Sequence, residues 1–572
     1  MHHRIKTDPA RFEVIKNALF STAEEMKVIV AKTAYSPLLK IAGDYSCGVF
    51  DVSGDMIAQG PDLPAHLGAM PDAVRSIRKS FPKPEDGDVY IHNDPYSGGS
   101  HLPDVNVVTP IFADGVHVAY TCVRAHWPDI GGPTPGSYNA ATSIYGEGLR
   151  IPATRLIHRG EMVEQVRDLI FANVRSPDER QGDLNSQIAA NARAGARLIS
   201  LARKYGTDEL LRIMGEVAYY SENLMRIALS KLPDGEAEAT EYLDGDGVLE
   251  QGQTKDEPIK IKVRIVKKGE EVFVDFAGSD PQVAGPMNAP LPVTSSGVFT
   301  AFKMIADPNN MIPPNSGCWR PIRISAPKRC VVNPELPAPV VYANHEMSTR
   351  VGELVMLAMG GIAPRNVMAS SCATAGVAIF GGNDYRTGKS YVSYEVTRGG
   401  FGARPNKDGI NVVATMTGNM MNTPVEVIET EFPLRVEEYS IIPDTGGAGR
   451  YRGGCSSRRR WRVLGESSNV SVCFERGLVA AQGLEGGLSG TRTQVVAIDK
   501  SGERRSLNTK GTLVIEAGGQ LEIELPGGGG YGDPKQRDRN ALLSDVADGY
   551  VSPDSAVNLY GADGASLPKA GR

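Results

Sequence analysis

From Pro9 onward, apolar residues recur every three or four positions at Phe12, Ile15, Leu19, Ala23, Met26 and Val30. That spacing gathers them on one face of an amphipathic helix, and Asp8 followed by Pro9 supplies an N-cap and a first-turn proline. The period then changes. Tyr45 to Ala58 carries β-rich residues on both sides of Ser53-Gly54-Asp55, the pattern of a hairpin. Asp88 to Asn93, Val105 to Phe112 and Val116 to Ala125 predict further strands, separated by the loops Asp94 to Pro103 and Trp127 to Gly136. Helical periodicity returns between about Asp178 and Leu232, through Leu198, Leu201, Tyr205, Leu210, Leu211, Met214 and Val217, and predicts two or more helices. Between Glu236 and Asp280 the pattern alternates again (Ile259 to Val266, Glu271 to Phe276), and a helix follows near Ser295 to Ile305. Further on, short β-like segments stand between glycine clusters, and a polar helical tail begins at Asp538.

These patterns predict a large multi-domain α+β fold. Its N-terminal half mixes helix and sheet, and its C-terminal half is glycine-rich and β-dominated. The expected regions are 1–235, an α/β region that includes the helical segment; 236–430, mixed α+β; 431–535, β-rich; and 536–572, the helical tail. A length of 572 residues agrees with several domains of roughly 100 to 200 residues each.

Composition narrows the function. A net charge of -6 over this length, with no basic stripe interleaved with aromatics, argues against a nucleic-acid partner. No run approaches the roughly 18 apolar residues of a membrane span, so no membrane partner is expected. Seven cysteines without a CxxC pair read as buried thiols; their odd number and the polar start MHHRIKTDPARF point to the reducing cytoplasm.

The chemistry concentrates in two loops. His101 and Asp104 stand three residues apart after the turn Asn93 to Ser100, and His126 ends a predicted strand. Two imidazoles and one carboxylate suit a single Zn, Mn or Fe ion and leave coordination positions open, so region 1–235 is expected to bind metal. Asp44 is the candidate fourth ligand or the base that steers water. Asp129 is a candidate to accept a hydrogen bond from a ligand imidazole. Asp44, His126 and Asp129 are thus the candidate catalytic residues. Asp94, Glu147, His66 and His92 crowd the same segments. The plainer reading makes these loop carboxylates turn caps and the histidines core residues.

Other motifs are structural on this reading. Gly382 to Ser390 has five residues between its glycines where a phosphate loop needs four, and is expected to be a hairpin turn. Pro526 to Asp533 is expected to be a flexible turn or an interface clasp. Arg458 to Arg462 is expected on a solvated strand edge. Asn344-His345-Glu346 is read as a pocket lining or a polar turn, and neither Cys318 nor Cys330 has a base nearby in sequence.

Several segments together resemble the hydantoinase B family, which includes the B-like half of 5-oxoprolinase and the α subunit of acetone carboxylase. They include SPLLKIAGDYSCGVFD, PAHLGAMPDAV, GDVYIHNDPYSGGSHLPDV, RAHWPDIGGPTPGS, EGLRIPATRL, NVRSPDERQGDLNSQ, IPPNSGCWRPI, NTPVEVIETEFP, GGAGRYRGG and PGGGGYGDPKQRD, and they span nearly the whole chain. The resemblance implies metal ligands at His101, Asp104 and His126, with Asp44 as a further ligand. It also implies an ATP-binding partner of hydantoinase A type, in an expected α2β2 heterotetramer. The implied activity is ATP-dependent opening of a hydantoin, oxoproline or other lactam. In that scheme the partner phosphorylates the amide oxygen, and the metal here activates water and polarises the carbon under attack. The alternative is ATP-dependent carboxylation of a ketone; carboxylase α subunits of this type are generally longer. A third reading is a scaffold subunit whose metal is purely structural.

Overall fold

The computed structural model describes residues 5–248 and 257–568. Its first helix, Pro9–Thr33, buries all six residues of the apolar stripe, and the Asp8 carboxylate accepts a hydrogen bond from the Arg11 amide. The cap satisfies one of the amide donors that a helix start leaves free.

Seven strands form the first sheet: β1 (Tyr45–Phe50), β2 (Met56–Gln59), β3 (Val89–His92), β4 (Asp104–Ala113), β5 (Val116–His126), β6 (Thr154–His158) and β7 (Glu161–Met162). They lie in the order β2-β1-β5-β4-β3-β6-β7, all antiparallel. The central pair β4 and β5 is almost wholly buried beneath the helices Pro177–Tyr205 and Met70–Ser80. Asp114 and Gly115 join these two strands with φ of 49° and 82°. Both angles are positive, as the tightest hairpin turns require.

The second sheet has the order β11-β10-β9-β8, from β8 (Gly235–Leu243), β9 (Ile259–Lys268), β10 (Glu271–Asp275) and β11 (Ile322–Ser325). Ile259, Ile261, Val263 and Ile265 alternate inward along β9. The helix Ser348–Gly360 packs on β8 and β9, and Leu291–Ala306 packs on that helix.

Two further sheets complete the fold. One, β13-β12-β16-β19, comprises β12 (Val377–Asn383), β13 (Ser390–Val396), β16 (Ser467–Cys473) and β19 (Lys510–Glu516). The other, β14-β15-β20-β17-β18, comprises β14 (Leu434–Ile442), β15 (Ser456–Val463), β17 (Gln494–Ile498), β18 (Arg504–Leu507) and β20 (Gln520–Glu524). The result is the large multi-domain α+β architecture expected. Gly382 to Ser390 is the β12–β13 hairpin connection, and all seven cysteines are buried and unpaired. Among the described residues no helix is long and apolar enough to cross a membrane.

Two expectations are corrected. The arginine-rich strand β15 is no edge: it pairs with β14 on one side and β20 on the other. Its arginines alternate as a strand demands. Arg459 is buried against Glu395 at 2.8 Å, while Arg458, Arg460 and Arg462 meet Glu524, Glu522 and Glu437. The glycine run at 527–530 is no flexible turn either. It is buried and hydrogen-bonded to other glycine-rich segments: Gly528 N donates to Gly454 O, Gly447 N to Gly528 O, and Gly530 N to Leu488 O. A Cβ on Gly528 would collide with the Phe401 carbonyl, and one on Gly530 with the Ala448 carbonyl. Backbone here packs on backbone, which only glycine permits.

Candidate metal centre

The pairing of β4 with β5 sets Asp104 directly opposite His126. A regular ladder continued from Ala113↔Val116 and Phe112↔His117 would instead place Ala125 there. The bulge between Ile111 and Phe112 absorbs Val118 and brings His126 onto the face of Asp104. On the other side of β5, the His126 amide donates to Asp44 O at 3.0 Å. Asp44 follows a π-helical turn, Leu38–Ala42, that ends at Gly43 with φ of 75°, a conformation suited to glycine. His101 arrives from the loop before β4.

The three candidate ligands are buried, and their ligand atoms lie within 4.8 Å of one another. His101 Nε2 is 3.1 Å and His126 Nδ1 is 3.3 Å from Asp104 Oδ1. His101 Nδ1 lies 2.8 Å from Val341 O and so donates to it. Nε2 therefore carries a lone pair, and it faces the carboxylate oxygen without a hydrogen bond; both atoms are buried and unpartnered. Two acceptors in contact repel unless a cation lies between them, so this donor set fits a divalent metal. Burial pushes the His126 imidazole down to about 4, which keeps it in the neutral form that ligates. Burial alone would raise the Asp104 carboxyl, but the surrounding His101, His66 and His126 rings hold it well below the usual range.

The other oxygen of Asp104 is held from outside. Ser100 Oγ and Asn344 Nδ2 donate to Oδ2, the latter at 2.9 Å, and His66 Nε2 lies 3.5 Å away. Asn344 belongs to a second π-helical turn, Ala343–Met347, which leads into the helix Ser348–Gly360. The next residue, His345, bonds Glu346 Oε1 through Nδ1 at 2.9 Å, and its buried Nε2 has no partner. His345 also groups with Glu346 and Cys473 at metal-binding spacing. Burial, and then the charge of Glu346, push the Cys473 thiol well up, so it remains protonated. The pair His345–Glu346 is better described as a hydrogen-bonded dyad.

A cavity of about 40 Å³ opens beside the triad. Asp44, His101, His126, His345, Tyr394 and Arg398 are among the residues that line it. Asp44 Oδ2 is 3.9 Å from His126 Nδ1, at the margin of the triad, and burial followed by the charge of Asp104 raises its carboxyl well above normal.

The remaining sequence candidates lie elsewhere. Asp129 makes no bond to an imidazole: its carboxylate binds Arg175 Nη1 at 2.8 Å and the amides of Gly131, Gly136 and Arg175, and so ties down a loop. His92 bonds Ser97, and Asp94 caps the turn Pro95–Ser97. Glu147 accepts from the amides of Val340 and Val341 and so holds the segment whose carbonyl orients His101. Tyr394 and Arg398 were missed. Nothing in their local sequence marks them, because they reach the cavity only through β13 and the loop after it.

The model of the family Hydantoinase B/oxoprolinase matches residues 8–534. An uncharacterized protein of Methanocaldococcus jannaschii is 37% identical over 560 residues, 97% of this chain and 96% of that protein. The caprolactamase subunit beta of Pseudomonas jessenii is 32% identical over 567 residues, 97% of this chain and 96% of that one. The crystal structure of the ATP-dependent caprolactamase from Pseudomonas jessenii superposes with a TM-score of 0.89 at 31% identity and covers 98% of each chain. The nucleotide-free structure of acetone carboxylase gives the same TM-score at 18% identity, over 97% of this chain and 80% of that one, and is a likeness of fold. On the match of its sequence from residue 8 to residue 534, the chain belongs to the hydantoinase B/oxoprolinase family.

Proposed function

We propose that this chain is the metal-bearing subunit of an ATP-dependent enzyme that opens cyclic amides, with lactams, oxoproline and hydantoins as the substrate class. Its partner is an ATP-binding subunit of hydantoinase A type, in an α2β2 assembly. The observation that carries the reading is the buried set of unpartnered acceptors on His101 and Asp104, completed by His126 and open to a cavity. Names of relatives support it: one is a caprolactamase subunit, and the matching crystal structure is of an ATP-dependent caprolactamase.

His101, Asp104 and His126 would hold one Zn, Mn or Fe ion, which supplies Lewis-acid polarisation of the carbon under attack when bound. The chain's own side chains do the rest. Asp44, on the cavity wall beside His126, accepts the proton of the attacking water at Oδ2, or completes the ligand set. His345, held through Nδ1 by Glu346, delivers a proton from Nε2 to the departing ring nitrogen. Tyr394, Val377 and Val396 wall the cavity and limit bulk water.

The fold shared with acetone carboxylase keeps ketone carboxylation as the second reading. The two are separated by incubating the full-length chain and its partner with ATP and a panel of lactams and hydantoins, or ketones with bicarbonate. A ring-opened amino acid is the expected product; a carboxylated ketone without ring opening overturns the proposal.

A further inference from the structure

Buried arginines in this protein hold carboxylates. Arg180 meets Asp183, Arg350 meets Glu241, Arg459 meets Glu395, and Arg476 meets Glu241. Arg398 departs from that rule. It is 6% exposed and donates through Nη2 to Met420 O at 3.0 Å, and among the described residues no carboxylate comes within ion-pairing reach of it. Arg124 shares this lack, but its Nε is taken by Asn106 and it does not line the cavity. Arg398 does line it, together with Asp44, His101 and His126.

A guanidinium stays charged in any protein environment, and its burial without a counter-ion is unfavourable. Asp44 faces Arg398 from the same cavity lining without reaching it as an ion pair, so the space bordered by Arg398 and the triad leaves room for a directly bonded anion. One neutral donor borders the same space: Thr415 Oγ1 accepts from Thr349 and keeps its own proton. The cavity holds about three water-sized groups, enough for the head of a molecule rather than its whole body.

We infer that Arg398 anchors an oxyanion, a phosphoryl or carboxylate group carried by the molecule that reacts at the neighbouring triad. The planar fork of donors matches both groups, and the pairing leaves the rest of the ligand facing His101 and His126. The inference rests on the proposed function only in placing a substrate in this cavity. A phosphoryl group would arrive from the ATP-dependent step, whereas a carboxylate would belong to the substrate itself.

The test is calorimetric titration of the full-length chain with inorganic phosphate and, separately, acetate, with metal content measured in each sample. The expected result is binding of at least one anion by the wild type, weakened about tenfold or more in Arg398→Met and less in Arg398→Lys, at unchanged metal content. Preference for phosphate points to the ATP-derived source, and preference for acetate to the substrate carboxylate. Failure of the wild type to bind either anion overturns the inference, as does equal binding by Arg398→Met. If Arg398→Met does not fold, Arg398→Gln takes its place in the comparison. The assay contains no ATP, partner or ring substrate, so its failure is separate from any failure of the ring-opening reading.

Discussion

Asp104 opens β4 and His126 closes β5, and a single bulge at Val118 sets them face to face. The pairing is a matter of register. One residue more or less between the Asp114-Gly115 turn and His126 would rotate the imidazole to the opposite face of the sheet.

His126→Ala removes one of the three proposed ligands, the one at the end of β5. Metal content by elemental analysis after gel filtration is expected to fall below about a tenth of an ion per chain, with an unchanged circular dichroism spectrum. Full metal retention would remove His126 from the centre.

Asn344→Ala takes away the amide that fixes Asp104 Oδ2 from 240 residues along the chain. Loss of such an outer partner costs about 10- to 100-fold in metal affinity. Competition against a chelator measures it, and an unshifted competition curve would mean that Asn344 does not orient Asp104.

Glu147 is fully buried, and burial raises its carboxyl to about 8 against hydrogen bonds from the Val341 and Val340 amides. Its folded value lies above the unfolded one, so the fold favours the protonated form. The corresponding stability is complete below about pH 4.5 and is lost as pH rises through about 8, at up to about 1.4 kcal/mol per pH unit. Thermal melts across this window are expected to show a shallower decline in Glu147→Gln than in the wild type; parallel curves would contradict the assignment.

Gly528→Ala and Gly215→Ala form a matched pair. The first puts a methyl group into the Phe401 carbonyl and is expected to cost about 1–3 kcal/mol or more. The second lies in the helix Thr207–Ser230, meets nothing within 4 Å, and is expected to stabilise by up to about 1 kcal/mol. Chemical denaturation of both variants checks the sign of each.

The sequence by itself determined the elements and the three candidate ligands. Apolar period encodes which face of a helix or strand is buried, so Pro9–Thr33, the strands around the site and the helices of 177–230 were legible. His101, Asp104 and His126 stood out because ligand-type residues clustered at predicted strand ends and loops, and the family resemblance pointed to the same three. The tertiary structure decided what surrounds them. His66, Asn344, His345 and Arg398 come from segments up to 297 residues from His101, and local patterning carries no information about which distant loop covers a site. Asp129 was misassigned for the same reason: its partner, Arg175, comes from a segment 46 residues away that folds back over the loop. The glycine run at 527–530 was misread because low side-chain content signals flexibility along a chain, whereas in the fold it lets backbones pack at distances that any side chain would forbid.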